Sequence, residues 1–178
     1  SDLQPEETVN YELGTKWDVF DERLSLTAAV FETRKTDARS ADPITGDVTL
    51  SGSNRVRGIE LGVAGSITPK WQVWGGYSYM DPKVTSYQSG GTDFSGNQMK
   101  FIARQSASLW TTYKFLPELT VGAGATYTGK RYVDDANVYQ LPSYWRYDAM
   151  AAYQFNKNFG LQLNLNNLTN ETIYEASH

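Results

Sequence analysis

The segment from residue 55 to residue 80, RVRGIELGVAGSITPKWQVWGGYSYM, constrains the fold more than any other part of the chain. Two runs that alternate apolar with polar or small residues flank a short turn at 67–70, which is the pattern of a β-hairpin with one apolar face. Each arm extends for about ten residues, longer than most strands of soluble sheets, and aromatic residues stand at both ends of the apolar face. Those features are typical of strands that cross a membrane.

Composition favours a β-protein and excludes several functions. Aromatic residues make up 13% of the chain and there are 15 glycines, which suits strands joined by turns better than helices. The net charge is −4 and both signs are mixed along the chain, so no surface for nucleic acid is indicated. With no cysteine and His178 as the only histidine, we expect no directly bound metal and no catalytic base; an enzyme is not predicted.

The same alternation recurs along the chain and predicts about eight antiparallel strands with no substantial helix. The predicted strands cover residues 8–20, 24–38, 54–67, 71–85, 104–116, 119–130, 143–155 and 159–169. Short turns at 21–23, 67–70, 116–118 and 156–158 alternate with long loops at 39–53, 87–103 and 131–142, the first of which could hold a small hairpin through Val48 and Leu50. Short turns at one rim and long extracellular loops at the other are typical of outer-membrane barrels. The predicted fold class is therefore all-β, an antiparallel transmembrane β-barrel segment.

The position of the chain ends within this pattern indicates part of a larger barrel. Strand one leads into a short turn and strand eight follows one, so both ends of the segment are expected at the long-loop, extracellular rim. A self-contained barrel of this class begins and ends at the periplasmic rim, and an isolated segment would leave strand edges unpaired in hydrocarbon. We therefore expect further strands on both sides of residues 1–178.

The alternation also assigns residues to faces. The odd-numbered apolar residues of strands one, six, seven and eight are predicted to face lipid: Leu13, Trp17, Val121, Ala123, Ala149, Leu161 and Leu163. The polar residues between them are predicted to face the lumen, including Glu12, Lys16, Asp18, Glu60, Lys114, Arg146 and Asp148. Aromatic residues are interpreted as anchors at headgroup depth: Trp17, Trp71, Tyr77, Tyr79, Tyr113, Tyr127, Tyr147 and Tyr153.

Four motifs occur in an order that resembles the TonB-dependent outer-membrane receptors, particularly their ferric-siderophore branch. They are LQPE followed by NYELGTKW at 3–17, RVRGIEL at 55–61, the strand from Arg104 to Tyr113, and LNNLTN at 165–170. Together the motifs cover essentially the whole chain. The resemblance implies a 22-stranded barrel around a plug, of which residues 1–178 would be a C-terminal part without the plug and the last strand.

The same resemblance implies energy-coupled uptake of a ferric siderophore across the bacterial outer membrane. The expected partners are the ferric siderophore, outer-membrane lipid, and a TonB complex that contacts the absent N-terminal region. Ferric iron is expected only as the siderophore complex. The alternative is a small autonomous outer-membrane barrel, porin or adhesin-like, without a plug or energy coupling; the expected placement of the chain ends favours the receptor.

Ligand contacts are expected from the long loops, because only that rim meets extracellular solute. Ferric siderophores are often anionic and carry flat chelating groups, which suit cations and aromatic faces. The candidates are Arg39, Tyr87, Phe94, Lys100, Phe101, Arg131, Tyr132 and Tyr139. For each of them solvated loop decoration is the competing interpretation. The pair Asp134-Asp135 is a weak signal for calcium, since no further spaced ligands accompany it.

Overall fold

An eight-stranded antiparallel sheet forms most of the structure, a computed structural model that describes residues 5–41, 48–89 and 91–173. Its strands are β1 (Glu7–Val19), β2 (Leu24–Ala41), β3 (Val48–Thr68), β4 (Trp71–Ser86), β7 (Gln105–Lys114), β8 (Leu119–Thr128), β11 (Tyr144–Gln154) and β12 (Gly160–Leu165). Two short ribbons lie in the connections: β5 (Gln88–Ser89) with β6 (Thr92–Asp93), and β9 (Arg131–Tyr132) with β10 (Gln140–Leu141).

The long strands pair in the order β1-β2-β3-β4-β7-β8-β11-β12, so each is joined to the next long strand along the chain. This meander confirms the predicted fold class. Within the described ranges the structure contains no helix. No helix in that part of the chain is therefore long and apolar enough to cross a membrane.

The first long loop, predicted over 39–53, is wrong at both ends, because residues 39–41 belong to β2 and residues 48–53 to β3; its middle, 42–47, lies outside the described residues. The hairpin proposed through Val48 and Leu50 is an extension of the β2–β3 pair. The pairing register shifts on both sides of Ala38, which lies opposite Gly52. Gly52 has a φ of +89°, a conformation that glycine adopts without steric cost. The resulting bulge lets both strands continue through a segment whose composition is typical of a loop.

The last predicted strand is too long, because β12 ends at Leu165 rather than near 169. Asn167 and Asn170 both have left-handed backbone conformations, with φ of 52° and 53°. The Asn167 N–H donates to Oδ1 of Asp148 over 2.8 Å, and its side-chain amide exchanges two hydrogen bonds of 3.0 Å with the backbone of Glu171. The NNLTN motif is therefore a turn anchored on β11, and the remaining strand ends agree closely with the prediction.

The pairing register gives the sheet one apolar face, as predicted. One row of cross-strand partners contains Trp71, Tyr113, Val121, Ala151 and Leu163, and the neighbouring rows on that face are similarly apolar. Most of this face has no protein cover: Leu13 is 74% exposed and Leu163 is 58% exposed. An apolar face this large that is open along several strands needs a nonpolar surrounding.

Aromatic contacts mark two levels on the apolar face. Trp145 lies between Tyr127 and Tyr147, with ring centroids 4.9 Å and 6.1 Å away. At the other end of β11, Tyr153 and Phe155 are 4.8 Å apart. These two clusters are arranged like the aromatic girdles of a membrane barrel, and the stretch from Trp145 to Phe155 that includes them is about as long as a tilted strand needs to cross the hydrocarbon.

The opposite face is polar and its charges pair locally. Arg146 Nε lies 3.2 Å from Asp148 Oδ1, and the Ser25 hydroxyl donates to Asp18 over 2.6 Å. Phe31, whose face the sequence leaves ambiguous, lies on this side because it pairs with Gly58. A Cβ added to Gly58 would stand 2.6 Å from the Phe31 ring and 2.5 Å from the Tyr79 carbonyl oxygen. The glycine thus makes room for the ring.

Replacing Gly58 with alanine is expected to destabilise the barrel by about 1–3 kcal/mol, the usual cost of overpacking. A matched control is Gly76→Ala in β4, where the nearest atom to an added Cβ is 3.7 Å away. Denaturant unfolding of the full-length protein in lipid measures both variants. Equal denaturant midpoints for the Gly58→Ala and Gly76→Ala variants would show that the close contact at Gly58 does not affect stability.

Candidate functional site

Two connecting segments at the long-loop rim, residues 87–103 and 131–142, are hydrogen-bonded to each other; we refer to them as the loop pair. The Gln98 N–H donates to Oδ1 of Asn137 over 2.7 Å, and the Asn137 amide donates back to the Gln98 carbonyl over 2.8 Å. The Asn97 amide adds a bond of 2.9 Å to the backbone of the second segment. These amides are partly buried, so the reciprocal bonds hold the two segments together.

Backbone hydrogen bonds also fix the first segment against β4. Val84 donates to Asn97 and accepts from Gly96, over 2.8 Å and 2.7 Å, and the Met99 N–H donates to Pro82 over 2.8 Å. Pro82 is fully buried. The loop pair is consequently an ordered continuation of the sheet, able to hold side chains in fixed positions.

A cavity of about 250 Å³ lies where the loop pair meets β3 and β4. Its lining consists of Ser53, Asn54, Val84, Tyr87, Met99, Lys100, Phe101 and Asp135. Asn54 and Val84 are cross-strand partners on the polar face of the sheet, so the cavity opens on the side assigned to the lumen. Three residues that the sequence singles out as ligand contacts, Tyr87, Lys100 and Phe101, therefore meet in one place.

The cavity combines a cation with aromatic rings. Lys100 Nζ lies 3.7 Å from a carboxylate oxygen of Asp135, and its side chain is still 46% exposed. Tyr87 stacks on Phe94 with ring centroids 5.5 Å apart, so Phe94 contacts a residue of the lining without lining the cavity itself. Phe101 has a φ of 64°, a left-handed conformation that costs a bulky residue about 1–2 kcal/mol. Such strain is concentrated at functional sites in many proteins.

The other predicted contact residues lie apart from this cavity. Tyr132 lines a different cavity together with Tyr79 and Tyr127, which belong to the apolar face. Arg131 is half-buried beside it in β9, and Tyr139 is 69% exposed where the chain enters β10. The backbone of Arg39 lies in β2, but its side chain is outside the part of the structure that is described.

The two adjacent carboxylates of the second segment have local partners. Asp134 accepts hydrogen bonds from the backbone N–H groups of Val138 and Tyr139, the latter over 2.9 Å, and Asp135 pairs with Lys100. Across the described residues there is no cluster of three or more side chains suited to a metal. In the first segment, hydrogen bonds from the Ser95 side chain and backbone hold the pKa of Asp93 below its ordinary value.

Sequence reasoning missed Ser53, Asn54 and Met99 as lining residues. Asn54 stands beside a register shift where β3 begins to pair with β4, so alternation does not show which side it faces. Met99 reaches the cavity through the bond of its backbone to Pro82. Neither feature leaves a pattern in the sequence.

Comparison with known proteins gives a consistent result. Residues 1–168 match the family model described as TonB dependent receptor-like, beta-barrel. The chain is 49% identical over 185 residues to the probable TonB-dependent siderophore receptor PiuA of Acinetobacter baumannii, covering 99% of this chain and 25% of that protein. It is 37% identical over 183 residues to the catecholate siderophore receptor Fiu of Escherichia coli K12, covering 99% and 23%.

Solved structures agree with the sequence matches. The crystal structure of the siderophore receptor PiuA from Acinetobacter baumannii superposes with a TM-score of 0.81 at 48% identity, over 94% of this chain and 25% of that one. The structural neighbours are plugged barrels of 22 strands. The chain therefore spans about a quarter of the length of the relatives it matches, as a partial barrel segment.

Proposed function

The chain belongs to the TonB-dependent receptor β-barrel family, and from this we propose that it forms the ligand-capturing sector of a receptor for energy-coupled uptake of a ferric siderophore. Members of the family lie in the outer membrane of Gram-negative bacteria. The relatives described above are named as siderophore receptors. The observation that carries the proposal is the convergence of Tyr87, Lys100 and Phe101 on one cavity at the long-loop rim.

The chemistry of the cavity suits an anionic chelate with flat rings. Lys100 supplies a positive charge that one carboxylate only partly neutralises at 3.7 Å. Phe101 and Tyr87 supply ring faces beside it, which can stack on planar chelating groups while the cation meets their negative charge. Iron enters this proposal as cargo held by its chelator.

The remainder of the receptor has to supply what this sector does not contain. In the proposed arrangement β1 and β12, which lie at opposite ends of the described sheet, each pair with a further strand and so close the barrel. A plug would fill the lumen against the polar face and carry the contact with a TonB complex. The alternative of a small autonomous barrel is disfavoured because the relatives are about four times as long as this chain.

The proposal is tested by ferric-siderophore binding to the full-length receptor that contains this chain. Replacing Lys100→Gln together with Phe101→Asn removes the cation and the ring, and asparagine tolerates the left-handed backbone at that position. We expect the dissociation constant to rise about tenfold, which corresponds to about 1.4 kcal/mol of lost binding free energy. Titration of purified receptor with a panel of ferric catecholates and hydroxamates measures it.

The chain offers a matched control for this double change. Lys114→Gln with Phe115→Asn alters the same residue types next to the short turn at the opposite rim, and binding should stay at the wild-type level. Glu60→Gln alters a charge of the polar face outside the cavity and should likewise leave binding at the wild-type level. If the variants at both rims lose affinity equally, or no ferric siderophore binds the wild type, the proposed site is wrong.

A further inference from the structure

Two tryptophans interrupt the polar face of the sheet. Trp74 in β4 and Trp110 in β7 are cross-strand partners, in a row that continues to Gly124 and Asp148. The next row toward the long-loop rim consists of small or hydrophilic residues: Gly62, Gly76, Ser108, Thr126 and Arg146. Because Trp74 is 42% exposed, a large aromatic surface is open on the side assigned to the lumen.

Two glycines of β8 make room for the Trp110 indole. A Cβ added to Gly124 would stand 2.5 Å from Cε3 of Trp110, and one added to Gly122 would stand 2.8 Å from Cζ2. The six-membered ring therefore occupies space that two side chains would otherwise fill. The Cε of Met150 would be 3.3 Å from the same Cβ at Gly122, so the Met150 side chain ends beside the indole. We call Trp74, Trp110 and Met150 the inner apolar patch.

A recess in the polar face leads from the long-loop side to this patch. Its lower part, of about 360 Å³, is lined by both tryptophans and by Gly76, Ser108 and Thr126. Its upper part, of about 440 Å³, is lined by the same three small residues and by others of similar size nearer the rim. The two parts are therefore continuous, and short side chains keep the recess open between them.

The recess has no surplus of positive charge to hold an anion. Asp148, which lines its lower part, accepts a hydrogen bond from Nε of Arg146 over 3.2 Å and another from the Asn167 N–H over 2.8 Å. Glu60 lines the upper part at its end nearest the long-loop rim. Ring surface, rather than charge, is thus the main attraction that the recess offers.

The inner apolar patch is far from the cavity at the long-loop rim. Ten residues of β4 separate Trp74 from Val84, which lines that cavity, and this corresponds to about 33 Å of extended strand. Trp74 is only three residues from the start of β4 at the short-turn rim. A ligand that moves along this wall after leaving the rim cavity therefore meets the patch late in its passage.

We propose that the inner apolar patch is a second, weaker binding site, at which the aromatic rings of a ferric catecholate stack during passage through the receptor. The inference rests on the function proposed above and adds the ligand class, because indoles gain stacking energy from aromatic rings that a hydroxamate chelate does not carry. A site on a transport path has to be favourable enough to enter and weak enough to leave. Exposed indoles without a surplus cation meet both requirements.

The test measures uptake of a radiolabelled ferric tris-catecholate by cells that produce the full-length receptor. Trp74→Leu with Trp110→Leu keeps apolar bulk and removes the rings, whereas Trp74→Phe with Trp110→Phe keeps a ring at each position. At saturating ligand we expect uptake per receptor to fall about tenfold in the leucine variant and to stay within about twofold of wild type in the phenylalanine variant. Surface binding without a working TonB complex should be unchanged in both, because the rim cavity is intact.

A matched control makes the same chemical change on the apolar face. Trp71→Leu with Trp145→Leu should leave uptake per receptor at the wild-type level, with receptor abundance measured in isolated outer membranes. If the double leucine variant is not produced, the single changes Trp74→Leu and Trp74→Phe give the same comparison and leave Trp110 on its glycines.

The outcomes separate this inference from the proposed function. Wild-type uptake in the leucine variant, or equal losses in the leucine and phenylalanine variants, would show that the rings do not bind the passing ligand and would overturn the inference alone. Uptake of a ferric trihydroxamate but not of the tris-catecholate by the wild type would refute the ligand class and leave the proposed function in place. Uptake of neither complex would refute both.

Discussion

Uptake of a ferric siderophore through the full-length receptor is expected to fall to background in cells that lack a working TonB complex. In the proposed receptor the plug closes the barrel, so a ligand bound at the rim cavity would pass inward only after a conformational change that requires energy. Accumulation of radiolabelled iron, measured in otherwise identical cells with and without the complex, tests this. Of the expected effects, this is the largest, because it removes transport altogether.

Surface binding provides the control for that experiment. Cells without the TonB complex should still bind the ferric siderophore at the wild-type level, since the contacts proposed for Tyr87, Lys100 and Phe101 do not depend on energy. Equal uptake with and without the complex would instead favour a pore without a plug. Loss of both binding and uptake would point to a receptor that fails to reach the outer membrane.

An arginine in place of Leu163 should destabilise the barrel by about 2–4 kcal/mol, the range for cations at the bilayer midplane. Leu163 shares a cross-strand row with Ala151. On β11, Ala151 lies between the aromatic clusters that contain Tyr147 and Tyr153, so the row is expected near mid-depth. Denaturant unfolding of the full-length protein in lipid vesicles measures the change.

The neighbouring residue provides the matched comparison. Asn164 pairs with Met150 on the polar face, so Asn164→Arg places the same charge on the same strand but toward water. We expect a much smaller loss of stability there. If both arginines cost the same, or if Leu163→Arg costs nothing in lipid, the assignment of the two faces is wrong.

The strands and their faces are predictable because a membrane barrel imposes strict alternation. Lipid on one side and water on the other force apolar and polar residues to alternate, and short turns then separate the strands. Trp17, Val121 and Leu163 accordingly fall on the predicted face. Phe31 is an exception, because an apolar ring stands at a position where alternation expects a polar residue. The ring fits on the polar face because Gly58 beside it has no side chain.

The site is less predictable, because its geometry depends on contacts between distant segments. From composition alone, Tyr87, Lys100, Phe101 and Tyr132 are equally good candidates for ligand contacts, because all are loop cations or aromatics. In the structure Tyr132 instead lines a separate cavity beside the apolar face. The difference arises from backbone hydrogen bonds, such as that from Phe101 to the Tyr132 carbonyl over 2.7 Å. Main-chain bonds of this kind are compatible with almost any side chain, so the sequence carries little record of them.

The two segments of the loop pair depend on each other, so one cannot be replaced without the other. The backbone N–H and carbonyl of Gln98 and the side-chain amide of Asn137 satisfy each other across the loop pair. A chimaera that imports only one of the two segments from a relative therefore leaves partly buried polar groups without partners, at a cost of about 1–3 kcal/mol for each. We therefore expect residues 87–103 and 131–142 to be exchanged as one unit, both during evolution and in engineered chimaeras, when the ligand specificity of such a barrel changes.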